Sequence, residues 1–467
     1  MASPSDNRLD LTSGLLGTHV EEKSATITWQ DGHRTVLPTL YDKSGHNVCE
    51  EVDIPIIKFL SEFPISTPES ASWVAHVPYE MLSHDTMLDV IGKALSINKT
   101  IVIRGEKVPQ RSEELTADFL DKRFTISKHR PVCIHDVMMR SCDHVNMKIT
   151  GTIGSFFDAM VDSTRIQCIL DLPLAQTSLP DQLRNIDHGL AYGWSQTTHR
   201  VPITSKVHPE NFMVRGWGIL HHAGYLSYPH HNAEGTLTWL RMELGVKFWV
   251  VFRPKNHRDD RKHLQEFVTR LVDFTNHEEW VRKHCDAEVI VLRPGDIVIM
   301  PPGTVHAVYT PVPSFATGGH FYHYMCLHLT ELARYIDSEA ADSTTNQDLE
   351  HALETLRRMM IMVPYLSLRT VLYKRPLLGL CIMVTKTEEY RAKGSSKQSA
   401  AKSETSQPSR DVAEVIMRKC FRLTRKLRPG AVMRIFIYLC TVIFIILSAE
   451  LSPPKATGVS GIGVIYK

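Results

Sequence analysis

From Trp217 onward the apolar positions fall into strand-length runs, GWGILHHAGYLSY, TLTWLRMEL and VKFWVVFRP, each rich in β-branched or aromatic residues. After a polar interval, AEVIVLRPGDIVIMPPGTVHAVYTP and HFYHYMCLHL resume the same pattern. The interval itself, 255–285, has apolar residues at Leu264, Phe267 and Leu271, the spacing of an inserted helix. Upstream, segments 78–97 and 114–123 have helical spacing. Between them IVIRG (101–105) reads as a buried strand running into a turn. RPVCIHDV, MKITGTI and RIQCILDL add further strands, and the first hundred residues are mixed, with alternation in ATITW and hairpin punctuation at Gln30-Asp31-Gly32. Helix-like sequence follows the last strands. The pattern predicts a mainly β region with helices, of α+β class, extending over 101–340, then a helical extension over 341–390.

Two stretches inside the β region carry candidate chemistry. GDIVIMPPGTVH places Gly295, Pro301, Gly303 and His306 so that a strand, a tight turn and a returning strand present His306 inward. PHHNAEG, after a turn at Gly224, offers His230 and, two residues on, Asn232, which share a strand face because side chains alternate with period two. Two histidines plus one oxygen donor on one face is the layout of a 2-His-1-carboxylate iron site, which leaves the opposite positions open. The competing reading is a β core with satisfied structural histidines.

The runs GYLSYPHHNAEGTLTWLRMELGVKFWVVFRP and PGDIVIMPPGTVHAVYTPVPSFATGGHFY resemble the JmjC branch of the cupin superfamily, in particular fungal JmjC-domain proteins, over about 180–335. The resemblance implies a double-stranded β-helix, of jelly-roll type, and an Fe(II)- and 2-oxoglutarate-dependent oxygenase acting by hydroxylation or demethylation. It implies His230 and His306 as metal ligands, Lys247 as the partner of the far carboxylate of 2-oxoglutarate, and Ser227 as a hydroxyl assisting that carboxylate. Chemistry supports the lysine, since a buried dianion needs a cation at its free end. The family pattern at the first motif is H-x-D or H-x-E, and here the third donor is Asn232, which brings no negative charge. Glu234 is an alternative donor, on the same parity but next to Gly235 at the strand's bend. The departure leaves two functional readings: an oxygenase impaired at its iron site, or a non-catalytic scaffold or binding module.

Charge and cysteine content narrow the setting. The net charge is +2, but residues 391–434 carry +9 and residues 1–390 carry −8, so a body-wide nucleic-acid footprint is not indicated. A protein or peptide substrate fits the resemblance. The nine cysteines are scattered and never form a CxxC pair, which points to a reducing compartment; the resemblance implies an intracellular setting, nuclear or cytoplasmic. Cys133, His135, Cys142 and His144 have an atypical spacing for zinc and read as core and turn residues. MASPSDNRLD has no apolar core of a secretory signal. Toward the C-terminus a Ser/Lys/Gln-rich linker (391–410) and a basic amphipathic segment (411–434) precede an apolar run, Ile435 to Ala449. With its flanks (431–451), this run is a candidate membrane anchor that would leave the body in the cytosol.

Overall fold

The computed structural model describes Leu11 and residues 25–69, 73–83, 86–105, 114–144, 146–174, 179–200, 216–255, 261–340, 351–367, 370, 372–391 and 404–421. Fifteen strands lie within them: β1 Thr26–Thr28, β2 Arg34–Val36, β3 Val74–Val77, β4 Thr100–Ile103, β5 Pro131–Asp136, β6 Lys148–Thr152, β7 Gln167–Pro173 and β8 Trp217–His221, then β9 Tyr225–His230, β10 Leu237–Leu244, β11 Lys247–Pro254, β12 Cys285–Leu292, β13 Ile297–Met300, β14 His306–Thr310 and β15 Ser314–Phe321. β1 and β2 form a hairpin. The rest make a large mixed sheet, ordered β3-β4-β13-β10-β15-β8-β7-β5-β6, and a smaller antiparallel sheet, ordered β12-β11-β14-β9. From β8 to β15 the chain passes repeatedly between the two sheets. One apolar cluster joins their inner faces, with Leu240, Met242, Val298 and Met300 from the large sheet meeting Trp249, Val251, Ile290 and Val308 from the small one.

Burial explains why VKFWVVFRP reads as an unbroken apolar run. All eight residues of β11 are buried, and it is hydrogen-bonded to β12 on one side and β14 on the other. The turn that delivers β14 is fixed by Gly303 at φ +72°, a conformation that L side chains rarely adopt. The predicted insert is a helical pair, Arg261–Val272 and Phe274–His284, which adds Phe267, Leu271, Phe274 and Val281 to the core under the small sheet.

A buried ion pair ties the N-terminal region to this sheet. Arg140 donates to both carboxylate oxygens of Asp53 (3.0 and 2.7 Å) and to the carbonyl of Leu226 in β9 (3.0 Å). Tyr228 donates its hydroxyl to the same carboxylate at 2.7 Å, and the guanidinium lies 4.3 Å from the Tyr228 ring centroid.

After β15 the helices Leu327–Ala340, Ala352–Met362, Lys374–Thr385 and Ser406–Phe421 build a separate apolar cluster. The last of these starts inside the segment expected to be a linker, because Val412, Ala413, Val415 and Ile416 give it a face to bury. Residues 392–403 of that linker, 422–434 of the basic segment and the whole 435–449 apolar run lie outside the described residues. Among the described residues no helix is long and apolar enough to cross a membrane.

Asp53→Ala leaves the Arg140 charge buried without its partner, so it is expected to cost about 3–5 kcal/mol in denaturant unfolding. A loss below about 1 kcal/mol would show that this pair does not fasten the N-terminal region.

Candidate functional site

A cavity of about 440 Å³ opens between the two sheets, and the sequence-predicted residues Ser227, His230, Asn232, Lys247 and His306 all line it. Trp217 and His221 of β8, Thr238 of β10, Met300 of β13 and His320 of β15 contribute the opposite wall. The pairing of β9 with β14 sets the histidines. His230 is the register partner of His306, whereas Ser227 pairs with Val308, so three residues of β9 span two of β14. Strict alternation would put Ser227 and His230 on opposite faces; the extra residue turns both toward the cavity.

The imidazoles of His230 and His306 stand 4.4 Å apart, centroid to centroid, and His306 also stacks on Trp249 at 4.9 Å. Each ring is oriented by a backbone carbonyl two residues before it: His230 Nδ1 to Tyr228 at 2.7 Å, His306 Nδ1 to Thr304 at 3.0 Å. A carbonyl can only accept, so both Nδ1 atoms carry hydrogen and both Nε2 atoms keep a lone pair. Burial pushes both rings toward the neutral form, and for His306 the neighbouring His230 adds to the effect. Neutral, tied imidazoles are the state that a divalent metal requires.

The third position differs from what alternation suggested. β9 ends at His230, and Asn232 reaches the cavity from the turn that follows, with its side chain still among the lining residues. His231 points the other way, fully buried, with Nε2 2.9 Å from Asp337 of the Leu327–Ala340 helix. Glu234 is not among the lining residues. It sits at φ 56° in the Ala233–Gly235 turn, with its carboxylate 3.3 Å from Arg334. Gly235 follows at φ +61°, and a Cβ there would lie 2.4 Å from the Thr330 carbonyl, so the turn is pressed against that helix. Among the described residues no three His, Cys, Asp or Glu side chains assemble into a metal cluster. That includes the Cys133/His135/Cys142/His144 group, of which only His135 reaches the cavity.

Lys247 begins β11 and is 1% exposed. Its Nζ touches His221 Nδ1 at 2.5 Å and Thr310 Oγ1 at 3.0 Å, both neutral groups, and among the described residues it has no carboxylate partner. Burial pushes its pKa down to about 7. The cavity thus has a pair of neutral, oriented imidazoles and an amine to which the described residues supply no counter-charge. Taken together, His230, His306 and Asn232 are one negative charge short of a 2-His-1-carboxylate donor set.

His221, His135 and Trp249 line the cavity too, with Thr310 bonded to Lys247 and His221, and sequence reasoning did not single them out in these places. The parity of His221 with Trp217 and Ile219 along the strand was a visible signal; its contact with Lys247, 26 residues away, was not.

No protein-family model matches the chain. Among curated proteins it is similar to the JmjC domain-containing histone demethylation protein 1 of Caenorhabditis elegans, 28% identical over 204 residues, which is 41% of this chain and 18% of that protein. The protein of the same name from Caenorhabditis briggsae is 32% identical over 152 residues, 32% of this chain and 13% of that protein. The chain therefore spans less than a fifth of the length of these relatives. The similarities support a JmjC-domain protein.

Lys247 also predicts a pH signature. Its folded pKa lies below its unfolded one, so it weighs against folding below about pH 7 and ceases to do so as pH rises toward its ordinary value of 10.5. Lys247→Met should unfold at higher denaturant than the wild type at pH 6–7, by a few kcal/mol at about 1.4 kcal/mol per pKa unit. The gap should close by about pH 10. Equal stabilities at pH 6 would rule out a buried, unpaired lysine.

Proposed function

We propose that the cavity is a JmjC-type site for Fe(II) and 2-oxoglutarate on a double-stranded β-helix of the cupin superfamily, and that the protein is an oxygenase with weakened iron affinity acting on a protein or peptide. The observation that carries this reading is the buried Lys247, without a carboxylate partner among the described residues, in one cavity with His230 and His306. The strand order supports it, since β8 to β15 divide between two facing sheets as a jelly roll requires. Iron and 2-oxoglutarate, when bound, supply the O₂-dependent hydroxylation of a C–H bond, which becomes demethylation when that carbon is attached to nitrogen.

The chain's own residues have defined parts. His230 and His306 offer Nε2 lone pairs held in place by the Tyr228 and Thr304 carbonyls. Lys247 takes up a proton and pairs with the far carboxylate, with Thr310 and Ser227 as neighbouring hydroxyls. Asn232 presents a neutral amide where an acid would serve. The relatives' names concern histone demethylation, which favours a protein substrate and an intracellular, nuclear or cytoplasmic, setting.

One observation favours a second reading, a non-catalytic scaffold: besides Asn232, Glu234 is engaged with Arg334 rather than facing the cavity. Asn232→Asp separates the two. It should tighten Fe(II) binding by about tenfold or more, judged against the 10–100-fold cost of lesser, outer-shell losses. Measured 2-oxoglutarate decarboxylation in both forms identifies an impaired oxygenase. Decarboxylation in the aspartate variant alone identifies a scaffold, and in neither it removes the ligand assignment.

Lys247→Met should abolish 2-oxoglutarate binding in calorimetry. In the wild type, affinity should fall as pH rises above about 7, because the free amine then lacks a proton. An affinity flat from pH 6 to 9 would contradict the anchor role.

A further inference from the structure

His221, on β8 of the large sheet, is 2% exposed, lines the cavity and meets Lys247 of the small sheet. Its Nδ1 lies 2.5 Å from Lys247 Nζ and 2.9 Å from Thr310 Oγ1, and Nζ lies 3.0 Å from the same hydroxyl. The three atoms close a triangle contributed by β8, β11 and β14. Tyr225 packs beside the imidazole, with ring centroids 4.8 Å apart and planes at 33°. On the far side of the ring, Nε2 is buried and has no hydrogen-bond partner among the described residues.

A neutral imidazole carries one ring hydrogen, on either nitrogen. An ammonium at Lys247 has only hydrogens to offer, so Nδ1 must accept and the ring hydrogen sits on Nε2. A neutral amine has a lone pair, and a ring hydrogen on Nδ1 then bridges the contact instead. The imidazolium fits neither case, and burial first, then the Lys247 charge, hold the ring neutral. Among the other titratable groups around the pair, burial holds His135 of β5 and His222 of β8 down to about 4 and pushes Tyr225 of β9 well above its usual range. Arg140 is engaged with Asp53. Cys168 of β7 is the register partner of His221 and favours the charged form of Lys247.

We propose that His221 is the positioning residue of the anion anchor: with Thr310 it holds Lys247 Nζ, and its ring hydrogen moves from Nδ1 to Nε2 when the amine takes up a proton. In that state Nδ1 and Oγ1 accept two of the three ammonium hydrogens and leave the third for a carboxylate. The unmet donor is shifted to a neutral ring N–H, where it costs less than on a charged group. The anchoring half rests on the 2-oxoglutarate reading, and the tautomer half stands on the triangle alone.

Nitrogen NMR of the full chain with isotope-labelled histidine tests the switch without any ligand. The His221 ring should pass from the Nδ1–H to the Nε2–H pattern as pH falls through about 7. Lys247→Met should remove the change and Cys168→Ser should keep it. In calorimetry, His221→Phe should weaken 2-oxoglutarate binding about tenfold at pH 7 and start the fall in affinity about one pH unit lower. His221→Asn, which keeps an acceptor at the place of Nδ1, should restore both, whereas a residue that only fills space tolerates phenylalanine with neither effect. Ring shifts that stay constant from pH 6 to 9, or a change that survives Lys247→Met, would overturn the proposal, as would a His221→Phe variant that melts and binds like the wild type. A chain that shows the tautomer change and binds no 2-oxoglutarate upholds the switch and refutes the cosubstrate reading.

Discussion

The pairing of β9 with β14 is the constraint on which the cavity rests. It joins two segments 76 residues apart and makes His230 and His306 direct register partners. One additional residue in β9 then brings Ser227 to the same side as His230. Removing the irregularity would turn one or the other away, since a one-residue slip moves a side chain to the opposite face. β11 lies on the far side of β14 and contributes Trp249, which stacks on His306, and Lys247, two residues earlier on the same face. A single antiparallel sheet thus sets the distance between the imidazoles and the amine.

The same cavity carries a conflict between folding and binding. A lysine at 1% exposure, with His221 and Thr310 as its hydrogen-bond partners, is held against its solvation preference. Proteins tolerate such groups where the missing partner arrives with a ligand. The histidines are held differently, because each has its Nδ1 satisfied by a backbone carbonyl and is comfortable when neutral. The histidine side of the cavity is therefore prepared at little cost and the lysine side at considerable cost, while Asn232 brings no charge to it.

Much of this was legible in the sequence, and for a physical reason. Runs such as VKFWVVFRP and GDIVIM are continuous because both faces of their strands are buried, so strand positions and the Pro/Gly turn before His306 could be read directly. The helical insert was visible from Leu264, Phe267 and Leu271 because it covers the core with one face. Register was not visible: no local pattern announces the bulge in β9, or that the strand stops at His230 and leaves Asn232 in a turn. Long-range partners were equally hidden. Nothing near Glu234 in the chain points to Arg334, and nothing near Lys247 points to His221. The Ser406–Phe421 helix was obscured by its own composition, since a linker-like start conceals the apolar face that begins at Val412.

The turn after His230 is anchored to something other than the sheets. His231 reaches Asp337, Glu234 reaches Arg334, Gly235 presses on Thr330, and Tyr322 donates its hydroxyl to the Glu234 carbonyl at 3.0 Å. Three of these four posts stand on the Leu327–Ala340 helix, beyond the last strand. A chain cut after β15 would keep every strand of both sheets and still lose the scaffolding that holds Asn232 at the cavity's edge. The smallest working unit is therefore set by the helix that steadies its most questionable residue, and ends later than the β architecture does.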